Sequence, residues 1–389
     1  MQGLFSHRAF TGFGPSRLAL PGEPPALGSV RGRRPAILRA WVRAECPRRP
    51  GVYGMVNGRG ELIYVGKSKN LRARLLSYFR PRSRDPKAGE IIKEARLIAW
   101  ESAPTEFSAL LRELELIRRW QPRFNVAGQP RRRRRVLVCL GRRPAPYAYL
   151  GPRVTSGVVA AFGPVPAGRH AREAVRRLND AFRLRDCPQA QQMVFSDQQE
   201  LFPVLRAAGC LRHEIGTCLG PCAAACSHAD YEAQLAAART FLDGGGAGLL
   251  DALERDMLAA AAAQQFEKAA ALRDRFAPLR WLHRCLERLR QARGLSFVYP
   301  LQSYEGKELW YVVCRGQVRA MLPAPADAAE VAALFAEGSR AAESVDGVLL
   351  VDGWFRKHPE ERQRTLTPEE ALTRCSAQNG KELATDEYR

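Results

Sequence analysis

Phenol and basic side chains are concentrated in two short glycine-containing segments, "PGVY" and "IYVGKSKNLRARLLSYF". These segments supply Tyr53, Tyr64, Lys67, Arg74 and Tyr78. A positioned phenol can orient or deprotonate a water molecule, and a planar guanidinium group matches the oxygens of a phosphate. The set therefore suits an attack of water on phosphorus. Two tyrosines on neighbouring strands can equally be an aromatic pair in a hydrophobic core, so these residues alone leave both interpretations open.

A carboxylate on a predicted helix adds to this set. The segment "TEFSALLRELELIRRW" predicts a helix over residues 105–120. At about 100° per residue, its polar side gathers Arg112, Glu115 and Arg119. Glu113 falls instead at the edge of the apolar face, where a carboxylate requires a positive partner. That partner is either an arginine in a salt bridge or a divalent cation that faces a phosphate.

A predicted hairpin must bring the first two tyrosines together. The sequence "NGRG" at residues 57–60 is typical of a hairpin turn, so Tyr53 and Tyr64 are expected on neighbouring antiparallel strands. Strand-forming residues precede Gly66. We interpret this glycine as the position of a backbone kink that leads out of the second strand.

A short basic helix is predicted after this strand. We expect it to run from about Leu71 to Phe79, with Ser68 or Asn70 as its N-cap. Arg74 and Tyr78 are four residues apart and therefore share one face of the helix. A guanidinium group and a phenol would then lie side by side next to the predicted hairpin.

The charge balance indicates the type of partner. The 389 residues include 61 Lys and Arg against 40 Asp and Glu, a net charge of +21 with a pI near 10.1. We expect a polyanionic partner, and a basic protein of the membrane surface is the alternative. No apolar run approaches the roughly 18 residues of a membrane span. Ten cysteines without a secretory signal favour a reducing compartment, and we expect the cytoplasm.

The motifs that contain these residues resemble the GIY-YIG nuclease family, and more narrowly the N-terminal half of the excision-repair nuclease UvrC and its shorter homologue Cho. The matching motifs are "PGVY", "IYVGKSKNLRARLLSYF", "TEFSALLRELELI" and "QPRFNV", in the family's order. Valine stands where isoleucine names the motif. Arg112 and Glu115 replace residues that are usually apolar and amide-like in the family.

This resemblance implies a metal ion and a base. Glu113 would be the only protein ligand of Mg²⁺ or Mn²⁺, with waters in the remaining positions. Tyr64 would deprotonate or orient the attacking water. An ordinary phenol, with a pKa of about 10, is a poor base, so Lys67 or the metal must activate it.

The other family positions would orient the substrate. Tyr53 and Tyr78 would orient the water and the phosphate, and Arg74 would stabilise charge that develops on the phosphoryl oxygens. Asn125, in the motif "QPRFNV", is expected to brace the site and not to react.

A cluster of cysteines follows further along the chain. Four thiolates suit structural Zn²⁺. The region from "AFGP" through "FRLRDCP" to "CLRHEIGTCLGPC" resembles UvrC, which implies a [4Fe–4S] cluster, with zinc as the alternative. Cys226 lies outside the matched pattern, and His213 and His228 are interpreted as ordinary polar residues. The expected ligands are Cys187, Cys210, Cys218 and Cys222.

A helical hairpin is predicted after the cysteines, with a turn near Gln264–Phe266. Within it, "FEKAAALRDRF" resembles the UVR motif, by which UvrC-like and UvrB-like proteins dock on each other. The resemblance implies a UvrB-like partner at residues 249–284, bound by an exposed apolar stripe of Phe266, Ala270 and Leu272. The alternative is a hairpin that packs only on its own core.

We predict an α+β protein that ends in a C-terminal α/β segment. That segment resembles only the opening strands of a ribonuclease-H-like domain, and a hairpin is predicted around Arg315–Gly316. The run Arg131–Arg135 is expected to be a linker or a phosphate contact. The predicted regions are a disordered basic arm (1–45), a GIY-YIG nuclease domain (46–128), a basic linker with a small α/β region (129–186), a cysteine-cluster region (187–230), a helical region with the UVR-like motif (231–289) and a C-terminal α/β segment (290–389).

The leading hypothesis is a metal-dependent, structure-specific DNA endonuclease of nucleotide excision repair. The resemblance implies that it cuts damaged duplex DNA on the 3′ side of the lesion. A non-catalytic adaptor that binds DNA and UvrB is the alternative, although such a protein would not need Glu113. A freestanding restriction or homing enzyme is disfavoured, because neither the cysteine region nor the hairpin serves sequence-specific cutting.

Overall fold

The computed structural model describes residues 9–20, 26–80, 87–126, 135–198, 209–324, 326–338 and 344–376. Helices and strands are mixed throughout these residues, which confirms the predicted α+β class. The chain divides into two compact units: one contains residues 1–129 and 292–389, and the other contains residues 130–291. Residues 131–134 of the arginine run lie outside the described residues, so their expected phosphate contact stays a prediction.

One antiparallel sheet organises the N-terminal part of the first unit, with strand order β1-β4-β2-β3. Its strands are β1 (Leu27–Arg31), β2 (Gly51–Asn57), β3 (Leu62–Ser68) and β4 (Ala95–Ser102). The helices of this part are α1 (Pro35–Glu45), α2 (Leu71–Ser77), α3 (Ala88–Glu94), α4 (Glu106–Trp120) and the single turn α5 (Arg123–Val126). The predicted helices near residues 71–79 and 105–120 are confirmed as α2 and α4.

Helices cover both faces of this sheet. Side chains of α1, α2 and α3 pack on the face that carries Tyr53. Ala109 and Leu116 of α4 pack on the other face, against Val52 and Val65. Neighbouring residues of one strand, such as Val52 and Tyr53, pack against helices on opposite sides of the sheet, because successive side chains point to opposite faces.

The prediction of a disordered arm is wrong for residues 26–45. β1 pairs with β4 over its full length, and α1 buries Leu38 and Val42. Upstream of these elements, Phe13 is also buried against the sheet. The Arg-, Gly- and Pro-rich composition suggested disorder. A few well-spaced apolar side chains nevertheless suffice to attach this segment to the sheet of β1–β4.

The second unit combines a small sheet with long helices. Its sheet, in the order β6-β5-β7, contains β5 (Arg135–Gly141), β6 (Tyr147–Gly151) and β7 (Val158–Pro166). Its helices are α6 (Arg169–Ala181), α7 (Leu211–Glu214), α8 (His228–Thr240), α9 (Ala247–Ala262) and α10 (Phe266–Arg293), of which residues 292–293 are assigned to the first unit. The turn expected near residues 264–266 is confirmed.

The C-terminal part returns to the first unit. It contains β8 (Phe297–Gln302), β9 (Glu308–Cys314) and β10 (Gln317–Pro323) in one antiparallel sheet, with helices α11 (Ala328–Gly338) and α12 (Val345–Lys357). The hairpin predicted around Arg315–Gly316 joins β9 and β10. This part was predicted as a separate segment, but it forms one compact unit with the sheet of β1–β4.

Candidate active site

Three tyrosine rings form a cluster at the hairpin. In the β2–β3 register, Tyr53 lies opposite Gly66 and Met55 lies opposite Tyr64, which places both phenols on one face of the sheet. Tyr78, at the end of α2, completes a triangle. The ring centroids are 6.2 Å apart for Tyr53 and Tyr64, and 6.0 Å apart for each of these with Tyr78. The expected convergence of the three phenols is present.

Hydrogen bonds join two of these phenols to the predicted arginine. The hydroxyl oxygens of Tyr53 and Tyr78 are 2.9 Å apart. Arg74 donates to both, with Nε 3.2 Å from the Tyr53 oxygen and Nη2 3.3 Å from the Tyr78 oxygen. Burial, followed by the proximity of Tyr64, raises the pKa of Tyr53 well above its usual range. Burial also raises the pKa of Tyr78, together with its two tyrosine neighbours, so both phenols stay neutral at physiological pH.

Gly66 is needed for a reason other than the predicted kink. It lies inside β3, and the chain leaves the strand only at residues 69–70. A Cβ atom at this position would be 2.5 Å from the Tyr53 hydroxyl oxygen and 2.6 Å from its ring. Any side chain here would displace the Tyr53 phenol, so the kink interpretation is wrong and the requirement is a close approach across the strand pair.

The turn between β3 and α2 orients the arginine. Asn70 is the N-cap, since its side chain accepts a hydrogen bond from the backbone N–H of Ala73 at 3.0 Å. Ser68 supports the turn by donating to the Asn70 carbonyl at 2.8 Å. The cap starts α2 at a defined residue, and Arg74 and Tyr78 follow on one helix face.

Lys67 is held by a carboxylate that the sequence did not reveal as a partner. Its Nζ lies 3.2 Å from Glu106 Oε1, and Lys69 lies 2.8 Å from the other oxygen. Burial alone would raise the pKa of Glu106, but the hydrogen bonds and charges of Lys69 and Lys67 lower it overall. Glu106 is the first residue of α4, so this pair ties the helix to β3.

Asn125 forms two hydrogen bonds with the backbone of the edge strand β3. Its side chain accepts from the Val65 N–H and donates to the Val65 carbonyl, both at 2.8 Å. Among the strands that the structure describes, β3 is the outer one of its sheet, so these backbone groups face no neighbouring strand there. The amide side chain takes the place of that strand next to Tyr64.

Glu113 lies half-buried in the middle of α4. The predicted polar side of α4 is present, because Arg112 and Arg119 both form ion pairs with Glu115, but Arg112 is only 4% exposed. Arg112 donates to both oxygens of Glu101 at 3.0 and 3.1 Å, and to Glu115 at 2.8 Å. It also donates to the backbone carbonyl of Gly14, so the polar side of α4 is covered by the N-terminal segment.

The four predicted cysteine ligands line one cavity in the second unit, with a volume of about 130 Å³. Burial raises the pKa of the Cys218 and Cys222 thiols above the usual value. In the described part of the chain, no three Cys, His, Asp or Glu side chains converge as the ligands of one metal ion do. The cavity is lined by Cys187, Cys210, Cys218 and Cys222, together with Arg185 and Arg212.

The predicted docking stripe on the hairpin is only partly exposed. Phe266, at the start of α10, is 69% exposed, and Leu258 of α9 is 59% exposed. Leu272 instead packs against the core of the second unit. The prediction of an exposed stripe of Phe266, Ala270 and Leu272 is therefore wrong at Leu272, because that side chain faces the core. The exposed apolar pair is Leu258 and Phe266.

Family models match three consecutive parts of the chain. Residues 49–126, which contain the tyrosine cluster, match the UvrC-like GIY-YIG domain. Residues 144–241 match the middle domain of UvrC/Cho excinucleases, and residues 247–277 match the UvrB/UvrC motif. The sheet and its tyrosine cluster thus define a GIY-YIG domain. The chain is therefore similar to UvrC-type proteins over most of residues 49–277, as the motifs indicated.

Similar proteins agree with this assignment. The UvrABC system protein C of Alcanivorax borkumensis is 36% identical over 247 residues, covering 60% of this chain and 37% of that protein. The protein of the same name from Saccharophagus degradans is 35% identical over 233 residues, covering 59% and 36%. The match thus spans little more than a third of the length of these relatives.

A solved structure is also similar. It is the GIY-YIG N-terminal endonuclease domain of UvrC from Thermotoga maritima, described as bound to its catalytic divalent cation, magnesium. It is 35% identical, covers 23% of this chain and 94% of that domain, and has a TM-score of 0.21. Within the described residues, the helices are all too short or too polar to span a bilayer.

Proposed function

We propose that this chain is a metal-dependent endonuclease that hydrolyses a phosphodiester bond of DNA at the tyrosine cluster. The arrangement of Arg74 between two neutral phenols is the observation that carries this proposal. A guanidinium group beside neutral O–H groups provides the positive charge and the hydrogen-bond donors that a phosphoryl group requires. The UvrC-like domain match covers these residues.

Each phenol has a distinct role in the proposed reaction. Tyr53 and Tyr78 act as neutral groups, because their raised pKa values keep the O–H protons in place. Tyr64 is less buried than either of them and orients or deprotonates the attacking water. Arg74 stabilises the negative charge that develops on the phosphoryl oxygens. Lys67, held by Glu106, adds positive charge at the end of β3.

Glu113 would hold the metal ion, Mg²⁺ or Mn²⁺. Hard cations accept one carboxylate and several waters, so a half-buried glutamate on a rigid helix fits without two further protein ligands. When bound, the ion supplies charge stabilisation to a phosphoryl oxygen. The contribution of the chain is to keep this carboxylate at a constant place on α4.

The test is a nicking assay with Glu113→Gln, which keeps the shape of the side chain and removes its charge. We expect loss of Mg²⁺-dependent nicking with unchanged DNA binding. Glu115→Gln is the matched control, because it makes the same change on the same helix in a carboxylate that meets Arg112. Near-native nicking by Glu113→Gln would refute the site assignment. Binding without any nicking by the native chain would favour the adaptor function.

We further propose that the substrate is a damaged duplex and that the cut falls on the 3′ side of the lesion. This rests on the family of the GIY-YIG domain and on the net charge of +21. The substrate is a duplex with one defined lesion and a label at each end of the damaged strand. The lengths of the labelled products then show on which side of the lesion the strand was cut. A product cut only on the 5′ side would contradict the proposal.

The cysteine cavity is proposed to hold a [4Fe–4S] cluster. The four thiols line one cavity, and the match to the middle domain of UvrC/Cho excinucleases covers all four, which supports a four-thiolate cluster site. Protein purified without oxygen should absorb broadly near about 400 nm, and Cys218→Ala should remove that band. Cys285→Ala is the control, because this half-buried thiol does not line the cavity. Colourless protein with stoichiometric zinc would show that the metal is zinc.

We propose that a UvrB-like protein docks on the hairpin of α9 and α10, within residues 249–284. The UvrB/UvrC motif match and the exposed side chains of Phe266 and Leu258 support this. Phe266→Asp should abolish partner-dependent incision while the chain still nicks simple branched DNA. Leu272→Asp is a poor substitute, because it would disturb the core. Equal incision by Phe266→Asp and native protein would mean that the nuclease finds damage without this surface.

A further inference from the structure

The C-terminal sheet surrounds one residue of the helix that carries the proposed metal ligand. Phe107 of α4 is fully buried in a hydrophobic cluster whose other buried members all belong to residues 297–355. Its ring centroid lies 5.1 Å from Tyr311, 5.4 Å from Tyr299 and 5.2 Å from Trp354. Leu111, one turn further along α4, packs against the same cluster.

Polar contacts tie both ends of α4 to the same segment. At the first turn, the Tyr311 hydroxyl lies 2.7 Å from Oγ1 of Thr105, the N-cap of α4, and also hydrogen-bonds with Ser108. At the last turn, Arg118 forms an ion pair with Asp346 at 2.8 Å. The contacts of the C-terminal segment therefore extend over the whole length of the helix.

The opposite side of α4 lies on the sheet of β1–β4. Ala109 and Leu116 pack there, and at about 100° per residue they lie roughly opposite Phe107 and Leu111. Glu113 lies on the flank of the helix, about 40° from Ala109 and about 120° from Phe107. Two rigid surfaces on opposite sides leave the helix little freedom to rotate about its axis, so they determine where the Glu113 carboxylate points.

We propose that the C-terminal segment is a positioning element of the nuclease, and that Phe107 and Tyr311 are positioning residues for Glu113. This inference rests on the proposed function, since it assumes that Glu113 holds the metal ion. The segment then increases the affinity of Glu113 for the metal ion, although it does not itself touch the DNA or the metal. A carboxylate on a loosely held helix would bind the cation more weakly, and positional errors of about 1 Å can cost about a hundredfold in rate.

The experiment measures Mn²⁺ binding to the full chain from the electron paramagnetic resonance signal of free Mn²⁺. Phe107→Ala should weaken binding about tenfold, because it removes the ring around which the cluster packs. Phe107→Leu, which retains most of the volume, should restore most of the affinity. Phe355→Ala is the matched control. Its ring packs in the same cluster on Phe297 at 5.2 Å and Tyr299 at 5.0 Å, and not on the Phe107 ring.

Tyr311→Phe provides a milder second variant, because Thr105 and Ser108 still bond each other at 2.9 Å without the phenol hydroxyl. It should weaken Mn²⁺ binding by a smaller factor with little loss of stability. Native-like binding by both Phe107→Ala and Tyr311→Phe would overturn the inference, as would equal weakening by Phe355→Ala. Glu113→Gln in the same titration separates the test of the proposed metal site from the test of the positioning role. If it alone loses binding, the proposed metal site stands and the positioning role is refuted.

Discussion

Replacement of Gly66 by alanine tests the close approach on which the tyrosine cluster depends. The new Cβ would lie 2.5 Å from the Tyr53 hydroxyl oxygen, well inside van der Waals contact. Relief of this clash requires the phenol to move by roughly 1 Å, since ordinary contact begins near about 3.5 Å. That movement would stretch the bonds of Tyr53 to Tyr78, now 2.9 Å, and to Arg74, now 3.2 Å.

The expected magnitude follows from this geometry. Overpacking of a buried site destabilises by about 1–3 kcal/mol. For a unit of about 150–250 residues, this corresponds to a fall in Tm of roughly 2–12 °C. A shift of about 1 Å among groups that orient the reaction should lower the nicking rate about a hundredfold. Both losses have one cause, the displaced Tyr53 phenol.

The assay combines thermal unfolding with single-turnover nicking of a duplex at saturating Mg²⁺. Gly89→Ala is the matched control, because a Cβ there meets nothing within 4 Å and α3 accommodates alanine. We expect that control to be as stable as the native chain or slightly more so. Native stability together with native nicking in Gly66→Ala would refute the close-approach argument. If Gly89→Ala lowered the nicking rate as much as Gly66→Ala does, the loss would not be specific to the close approach at Gly66.

Three further variants test the framework of the site. Arg112→Met should destabilise the chain by about 3–5 kcal/mol in urea unfolding, because it leaves Glu101 buried without a partner, and Glu101→Gln in the same chain should recover part of that loss. Lysine contacts lower the pKa of Glu106, so the stability it contributes is present above about pH 4.3 and is lost as the pH falls through the lowered value. Glu106→Gln should then be less stable than the native chain at pH 7, and a difference that does not shrink as the pH falls below about 4.3 would contradict this. Asn125→Ala should reduce stability by about 1 kcal/mol and increase hydrogen exchange at Val65, since both bonds to that backbone are removed. Unchanged exchange there would refute the bracing role.

Much of the site could be predicted from the sequence because its signals are local. The turn at residues 57–60 sets the hairpin and therefore brings Tyr53 and Tyr64 onto one face. A cap at Asn70 and a spacing of four residues place Arg74 beside Tyr78. In each case a few consecutive residues determine the backbone, and the backbone determines the direction of the side chains.

Contacts between distant residues could not be predicted in this way. The role of Gly66 depends on a tyrosine 13 residues earlier in the chain, across the strand pair. The Arg112–Glu101 pair and the ordered segment around α1 depend on which polar and apolar groups meet after folding. Since composition averages over such contacts, it wrongly predicted disorder for residues 26–45.

By itself, the sequence determined the chemistry of this protein: a phenol, guanidinium and carboxylate set in GIY-YIG motifs, a group of thiols, and a charge suited to DNA. Only the tertiary structure decided what holds that chemistry in place. Thr105 and Tyr311 are separated by 206 positions, yet their hydroxyls lie 2.7 Å apart at the start of the helix that carries Glu113. No local pattern encodes such a contact, because it arises only when two sheets pack on opposite sides of one helix.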